Sequence, residues 1–369
     1  MSRSGRKSLI SSEFQTARKT PSAPAAGVAS SAIVALGIFV GSGGMQRFDH
    51  ELYGYAVAAT LAAFAVGYRF TLWSSRPPSR MYFLRGLQLI ARRGPTYRKN
   101  KSKKTKPGYE LAKTASQNFV AQNFIRERSY YRWIMHLCLS GGCTLAFAVT
   151  FPLVFGWIHF STPIDNAELY HVEVFGVTVD SFGIHSFKAA IMFNLLNIAG
   201  VFAFVGVTMA GYRRIADAGA RALTTFYEDV LPLIIIAAVT ITGLALTVSY
   251  KFLDGQGHGS LAWIHMLTVV ALLFYLPFGK LFHMFQRVAA LCVSVYKKAG
   301  QAEEQATCEA TGKEFASQRH VDDLKIVLDE LGFDYRFKDE NGKEVHYADI
   351  SPEGRRRLLA FSQGKPLNR

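Results

Sequence analysis

The chain has 369 residues, 50% of them hydrophobic, and carries 42 Lys or Arg against 27 Asp or Glu, a formal net charge of +15. Composition alone leaves a nucleic-acid binder and a membrane protein open. The distribution of charge argues against a nucleic-acid partner: charged residues are missing from 20–46, 52–68, 133–162, 189–212, 230–250 and 255–279, and no recognition motif accompanies the basic residues elsewhere. At about 20 residues per crossing, these runs predict six transmembrane helices, over 28–43, 53–73, 132–158, 187–211, 229–251 and 261–285.

Residues 1–75 hold a polar tail with Arg3, Arg6, Lys7, Arg18 and Lys19, then two helices joined by a short turn around Gly41–Gly44. Basic residues collect on the cytoplasmic side of a membrane, so the tail is expected inside. The first 20 residues lack an apolar core followed by a small-residue cleavage site, and helix one reads as a retained signal anchor. No histidine falls within this hairpin's helices, which gives it a structural task.

Residues 76–130 form a basic cytoplasmic loop. From Arg69 to Arg132 there are 16 Lys or Arg against Glu110 and Glu127 alone. Arg76-Pro77-Pro78 stops helix two, and 81–93, where apolar residues alternate with Arg85, Arg92 and Arg93, suits an amphipathic helix lying on the membrane surface. Lys99–Lys106 reads as a flexible basic run, equally suited to anionic membrane lipid and to an acidic partner. The loop after helix three has Asp165, Glu168, Glu173 and Asp180 with no cation before Lys188, whereas Arg213, Arg214, Arg221, Lys297 and Lys298 return to the inside. Six crossings with both termini cytoplasmic satisfy this pattern.

Residues 131–290 carry the chemistry. Of ten histidines, His136, His265 and His283 lie inside predicted helices, where a polar ring is costly and tends to mark a function. On the apolar segment Trp263–Phe285, His265 and His283 are five α-helical turns apart, about 27 Å on one face of a continuous helix, with one ring near each membrane surface. Such a ladder suits haem ligands on a path for electrons across a bilayer. His136 sits near the inner end of helix three and matches His283 in depth, so the two could hold one haem b as a bis-imidazole pair. The alternative for each is a hydrogen bond to a neighbouring helix.

His265 needs a ligand partner from the outer end of another helix. His185, opening helix four, is preferred; His159, closing helix three, lies about 140° around the helix from His136 unless Pro152 bends it back. One or two haems are therefore expected. Lys280 suits a haem propionate or the inner membrane surface, Asn194 and Asn197 a cofactor or a helix contact, and Gly141-Gly142 a porphyrin or close packing. His50, His171 and His258 in outer loops, and His320 and His346 beyond the last helix, read as solvated or surface-bonded.

Residues 300–369 read as a soluble cytoplasmic docking tail of mixed α+β structure. A helix over Val321–Leu331 stops at Gly332, Phe333–Phe337 and Glu344–Tyr347 make a hairpin about Asn341-Gly342, and Ser351–Phe361 is a capped helix. The fold class is thus all-α, an integral membrane six-helix bundle with a small cytoplasmic α+β tail. Cys138, Cys143, Cys292 and Cys308 form no Cys-x-x-Cys pair, which argues against an iron–sulfur cluster, a structural zinc or covalently attached haem in this chain.

Arg132-Trp133-Ile134-Met135-His136 followed by Gly141, Glu228-Asp229-Val230-Leu231-Pro232-Leu233 with Thr242-Gly243, then His265 and Pro277-Phe278-Gly279-Lys280-Leu281-Phe282-His283, resemble the membrane cytochrome b of the respiratory nitrate reductase gamma subunit family. That broad group includes heterodisulfide-reductase-like and sulfite-reductase-associated membrane subunits, and the resemblance covers roughly residues 125–290. It implies a subunit in the bacterial cytoplasmic (inner) membrane that moves electrons between the quinone pool and cytoplasmic partners, an iron–sulfur subunit and a molybdopterin oxidoreductase. His136 and His283 would hold the inner haem and His265 one side of an outer haem. The family pattern places a second histidine ten residues after the first, where this chain has Ala146. A haem-free membrane anchor and a secondary transporter are the rival readings.

Overall fold

The apolar runs form six helices long and apolar enough to cross a membrane, in a computed structural model that describes residues 20, 22–91, 98–99, 103–104, 112–301, 303–338 and 342–364. The main helices in chain order are α1 (Ser22–Gly41), α2 (Tyr53–Ser74), α3 (Pro77–Ala91), α4 (Tyr130–Val154), α5 (Phe187–Ala216), α6 (Leu231–Phe252), α7 (His258–Tyr275), α8 (His283–Gly300), α9 (Gln318–Glu330) and α10 (Pro352–Gly364). The spans are α1, α2 and α4–α7, which makes the chain a multi-pass membrane protein with the expected helical bundle and small α+β tail. Large apolar side chains such as Ile33 and Val40 on α1 face outward, 71% and 66% exposed, as a lipid-facing surface requires. The tail cations Arg3, Arg6, Lys7, Arg18 and Lys19, with Arg92, Arg93 and Asn341, lie outside the described residues.

The chain divides into two units, Met1–Leu72 with Gln122–Met284, and Trp73–Ala121 with Phe285–Arg369. The hairpin α1–α2 therefore belongs with α4–α7 and is not a separate module. Its core joins Ile38, Ala58, Ala59 and Ala62 to Val154, Phe155 and Leu273. Small residues let helices approach closely without hydrophobic driving force from lipid. Between α4 and α5, a Cβ on Gly142 would stand 2.5 Å from the Ala203 nitrogen and 2.6 Å from the Ala199 carbonyl oxygen, so close packing accounts for this glycine. A Cβ on Gly141 would meet nothing within 4 Å.

Three boundaries correct the sequence reading. Helix three ends at Val154, not at 158, and the chain then enters a three-stranded antiparallel sheet of β1 (Ile158–Ser161), β2 (Leu169–Val174) and β3 (Val177–Gly183). Phe175 and Gly176 turn between β2 and β3 with φ of 52° and 81°, the left-handed pair that a tight hairpin needs. Helix six is not one rod to 285. It stops at Tyr275, because Pro277 has no N–H to continue the ladder and its ring would strike the carbonyl one turn back. A turn and a short 3-10 segment, Lys280–Phe282, then reset the direction before α8 starts at His283. Pro77-Pro78 does follow the end of α2 at Ser74, but Pro77 also opens α3 as the first helical residue, where its missing N–H costs nothing.

In the second unit α3 packs on the tail and is not a helix lying alone on a surface. Arg85 pairs with Asp323 at 3.2 Å and Arg80 with Glu330 at 2.5 Å. Tyr82 packs on Tyr296 and stacks on His320, with centroids 5.4 and 5.6 Å apart. Arg98–Lys99 pairs with Lys103–Lys104 as a short antiparallel ladder, and the rest of the Lys99–Lys106 run lies outside the described residues. The tail has the expected helix as α9, the hairpin as β6 (Arg336–Lys338) with β7 (Glu344–His346), and α10 with Ser351 Oγ accepting from Gly354 N at 3.0 Å. An additional hairpin, β4 (Gln305–Thr307) with β5 (Glu314–Ser317), brings Ala306 against Val321 and Ala348 in the small core.

Two predictions follow from packing. Gly142→Val should destabilise the bundle by about 1–3 kcal/mol, the usual cost of overpacking, seen as a lower thermal midpoint in detergent; an unchanged midpoint would mean the α4–α5 contact is loose. His320, half-buried against Tyr82 and Tyr296, has its pKa lowered by burial first and by Lys297 second, against an opposing pull from Asp323. Its folded-state pKa lies below the unfolded value, so its contribution is full above the unfolded pKa and is lost as pH falls through the folded one. Limited proteolysis of the tail in the full-length chain should accelerate on acidification from pH 7.5 to about 5.5, and His320→Phe, which keeps the stacking, should blunt that acceleration.

Candidate haem-binding and cavity sites

His136 lies in the second turn of α4, whose first turn is capped by Ser129. His283 heads α8 directly after the Pro277–Phe282 reversal, and the two rings come to a centroid separation of 6.5 Å with planes at 67°. Both are half-buried. The sequence reading expected these two at one depth, and the structure brings them together.

Each ring is anchored through Nδ1. His283 Nδ1 donates to the Lys280 carbonyl at 2.6 Å, and a carbonyl can only accept, which leaves the lone pair on Nε2. His136 Nδ1 stands 2.7 Å from Gln122 Oε1. Gln122 Nε2 donates to Ser140 Oγ at 2.8 Å, and Ser140 Oγ donates to the His136 carbonyl at 2.7 Å, so the amide orientation is set and its oxygen accepts from His136. Gln122 is buried, with φ of 48°, a conformation that costs a non-glycine residue about 1–3 kcal/mol and persists only where its surroundings over-determine it. Nothing in the sequence marked Gln122, which stands fourteen residues before its histidine in an irregular segment.

Around this pair lies a charged cluster. Lys280 Nζ reaches Asp229 Oδ1 at 2.5 Å and Arg214 stands 3.8 Å from the same oxygen, so Lys280 already has a carboxylate within the chain. Arg69 donates to the Pro277 carbonyl and stacks 4.7 Å over the Phe282 ring, which ties α2 to the break after α7. Tyr275 Oη donates to the Tyr227 carbonyl at 2.8 Å.

His265 is elsewhere. Its Nδ1 is 2.9 Å from Thr242 Oγ1 on α6, and a Cβ on Gly243 would stand 3.1 Å from its Cε1, so the Thr242-Gly243 pair supplies both a hydrogen-bond partner and room for the ring. The ring lines a cavity of about 500 Å³ among α2 and α4–α7, with Ala146, Phe147, Asn197 and Thr247 also on its walls. Neither expected partner of His265 reaches that cavity. His159 lies on β1 opposite Glu173, its Nε2 buried without a hydrogen-bond partner, and His185 is exposed in the turn before α5. Both shifts have one cause: the chain leaves helical geometry at Val154 and regains it only at Phe187.

Comparison with protein-family models, with curated proteins and with solved structures gives no match.

The remaining groups have local partners. Asn197 Nδ2 donates to Asn194 Oδ1 at 3.0 Å, and Asn197 Oδ1 accepts from Thr247 Oγ1 at 2.7 Å, a hydrogen-bonded bridge between α5 and α6. His171 Nδ1 pairs with Ser181 Oγ across the sheet at 2.6 Å, and His346 Nδ1 accepts from Ala348 N at 3.0 Å. Among the described residues no three His, Cys, Asp or Glu gather as a metal site. His136 and His283, with each Nδ1 engaged, are the residues that would hold a haem iron here.

Proposed function

We propose that this chain is a membrane b-type cytochrome subunit that exchanges electrons between the quinone pool and a cytoplasmic iron–sulfur or molybdenum oxidoreductase. The observation that carries it is the His136–His283 pair, one ring on the span α4 and the other heading α8 just after the span α7, 6.5 Å apart with each Nδ1 anchored. A ligating histidine characteristically gives its other ring nitrogen to a hydrogen-bond acceptor, which fixes the tautomer and the ring plane. Gln122 and the Lys280 carbonyl do this here. The haem would supply one-electron transfer, and the chain's part is to hold it, orient it and keep it in a low dielectric.

Asp229 keeps Lys280 and Arg214 gathered at the same end of the bundle, a local positive field that suits haem carboxylates. The excess of Lys and Arg in 69–132 supports a cytoplasmic position for that loop, for both termini and for the partner that docks there, in a bacterial cytoplasmic membrane. The family resemblance supports the identity of the partner as an iron–sulfur subunit.

Pyridine-haemochrome quantitation of the purified chain should find b haem, and His136→Ala and His283→Ala should each remove the same haem, since they share one iron. Retention of full haem in either variant would sink the assignment, and a haem-free wild type would favour the membrane-anchor reading. Gln122→Leu should keep the haem but release it to apomyoglobin about 10–100-fold more readily, the usual effect of losing an outer partner of a ligating histidine.

A further inference from the structure

We propose that the cavity lined by His265 binds a neutral, lipid-soluble hydroquinone, with a phenolic hydroxyl donating to His265 Nε2, and that it does not hold a second haem. This deepens the cytochrome reading and rests on it for the choice of a redox-active alcohol over other lipid alcohols.

The first step is the tautomer of His265. Thr242 Oγ1 donates its single proton to the Ala238 carbonyl at 2.7 Å, and Thr268 Oγ1 donates its own to the His265 carbonyl at 2.7 Å. Thr242 Oγ1 is thus left as the acceptor at 2.9 Å, and His265 Nδ1 must carry the ring proton. Nε2 then has the lone pair. Such a nitrogen recognises a donor or a metal and has nothing to offer a quinone carbonyl.

The second step decides between donor and metal. A haem brings two anionic propionates, and burying carboxylates among apolar helices without a cation is costly. The described residues lining this cavity include no Lys and no Arg; the polar ones, among them Tyr55, Thr150, Asn197, Thr240 and Thr247, are neutral. No second histidine lines it either, and Ala146 forms part of the wall. A haem bound by His265 would have one protein ligand and no charge partner, so the donor set does not fit the outer haem that the sequence suggested.

A hydroquinone matches what remains. It is neutral, presents a hydroxyl donor on an apolar ring, and its size falls within a cavity of about 500 Å³, in the usual range of small-molecule sites. Asn197 on the same wall gives one amide proton to Asn194 and keeps a second N–H to offer the other ring oxygen.

The test uses the full-length chain in detergent, with menadiol and a decyl-substituted benzoquinol as probes and calorimetric titration as the readout, alongside haem per chain. Wild type should contain one haem and bind at least one probe saturably. His265→Phe should abolish that binding and Thr242→Val, which is nearly isosteric, should weaken it about tenfold, the loss of one hydrogen bond, both without changing haem content. Thr242→Val decides the matter if His265→Phe does not fold. Two haems in the wild type with one lost in His265→Phe, no probe binding by the wild type, equal binding by Thr242→Val, or equal competition by a sterol would each overturn the proposal. Probe binding that disappears in His265→Phe while the wild type holds no haem would leave the cavity assignment standing and overturn the cytochrome reading instead.

Discussion

Pro277 determines where His283 goes, and much of the site depends on it. An uninterrupted α7 would carry His283 along a straight axis in line with His265. With no N–H at Pro277 and the Tyr275 ring filling the space where a Cβ on Gly279 would sit, the chain instead folds back over 276–282. That reversal presents the Lys280 carbonyl to His283 Nδ1 and brings His283 against His136. The Arg69 guanidinium secures the break from outside, taking the Pro277 carbonyl that the interrupted ladder leaves without an intrahelical donor.

The same region shows why an ion pair is kept among apolar helices. Asp229 alone near the end of α6 would be a poorly solvated anion; with Lys280 and Arg214 beside it, and Thr225 N donating to its Oδ2 at 2.9 Å, its oxygens are fully engaged. With the Lys280 side chain more than half exposed, the pair adds little net stability. Its value lies in geometry: it fixes the 280–282 segment, and with it the carbonyl that orients His283.

How much of this could be read from the sequence varies with the physics behind each feature. Helix existence was legible, since charge-free runs of about 20 residues have few alternatives. Helix ends were not. Pro277 lies within an apolar run, and the five-turn spacing of His265 and His283 is what a straight helix would also give. The sheet after α4 carries its own signal, the alternation in Leu169–Val174 and the Phe175-Gly176 turn, within an acidic segment whose composition is also that of a loop between spans. Gln122 had no signal, because its hydrogen bond to His136 depends on a left-handed backbone at one irregular position. The docking of α3 on the tail was equally hidden: Arg85 looks like a lipid-facing cation until Asp323, 238 residues later, is placed beside it.

The three histidines of the bundle share one arrangement and differ in what lies opposite. Each has Nδ1 tied to an oxygen, from Gln122, Lys280 or Thr242, so each ring is held in orientation by a partner that costs little to supply inside a helical bundle. Opposite His136 stands His283; among the residues lining the cavity with His265 there is no second imidazole and no cation. The identity of a ligand is therefore decided less by the histidine than by the groups facing it. Two imidazoles at 6.5 Å suit an ion between them, while one imidazole in a neutral apolar cavity suits a neutral donor. Position 146 is where that difference is concentrated, because a histidine there would add a second nitrogen to the His265 cavity, and alanine leaves the space to an apolar ring.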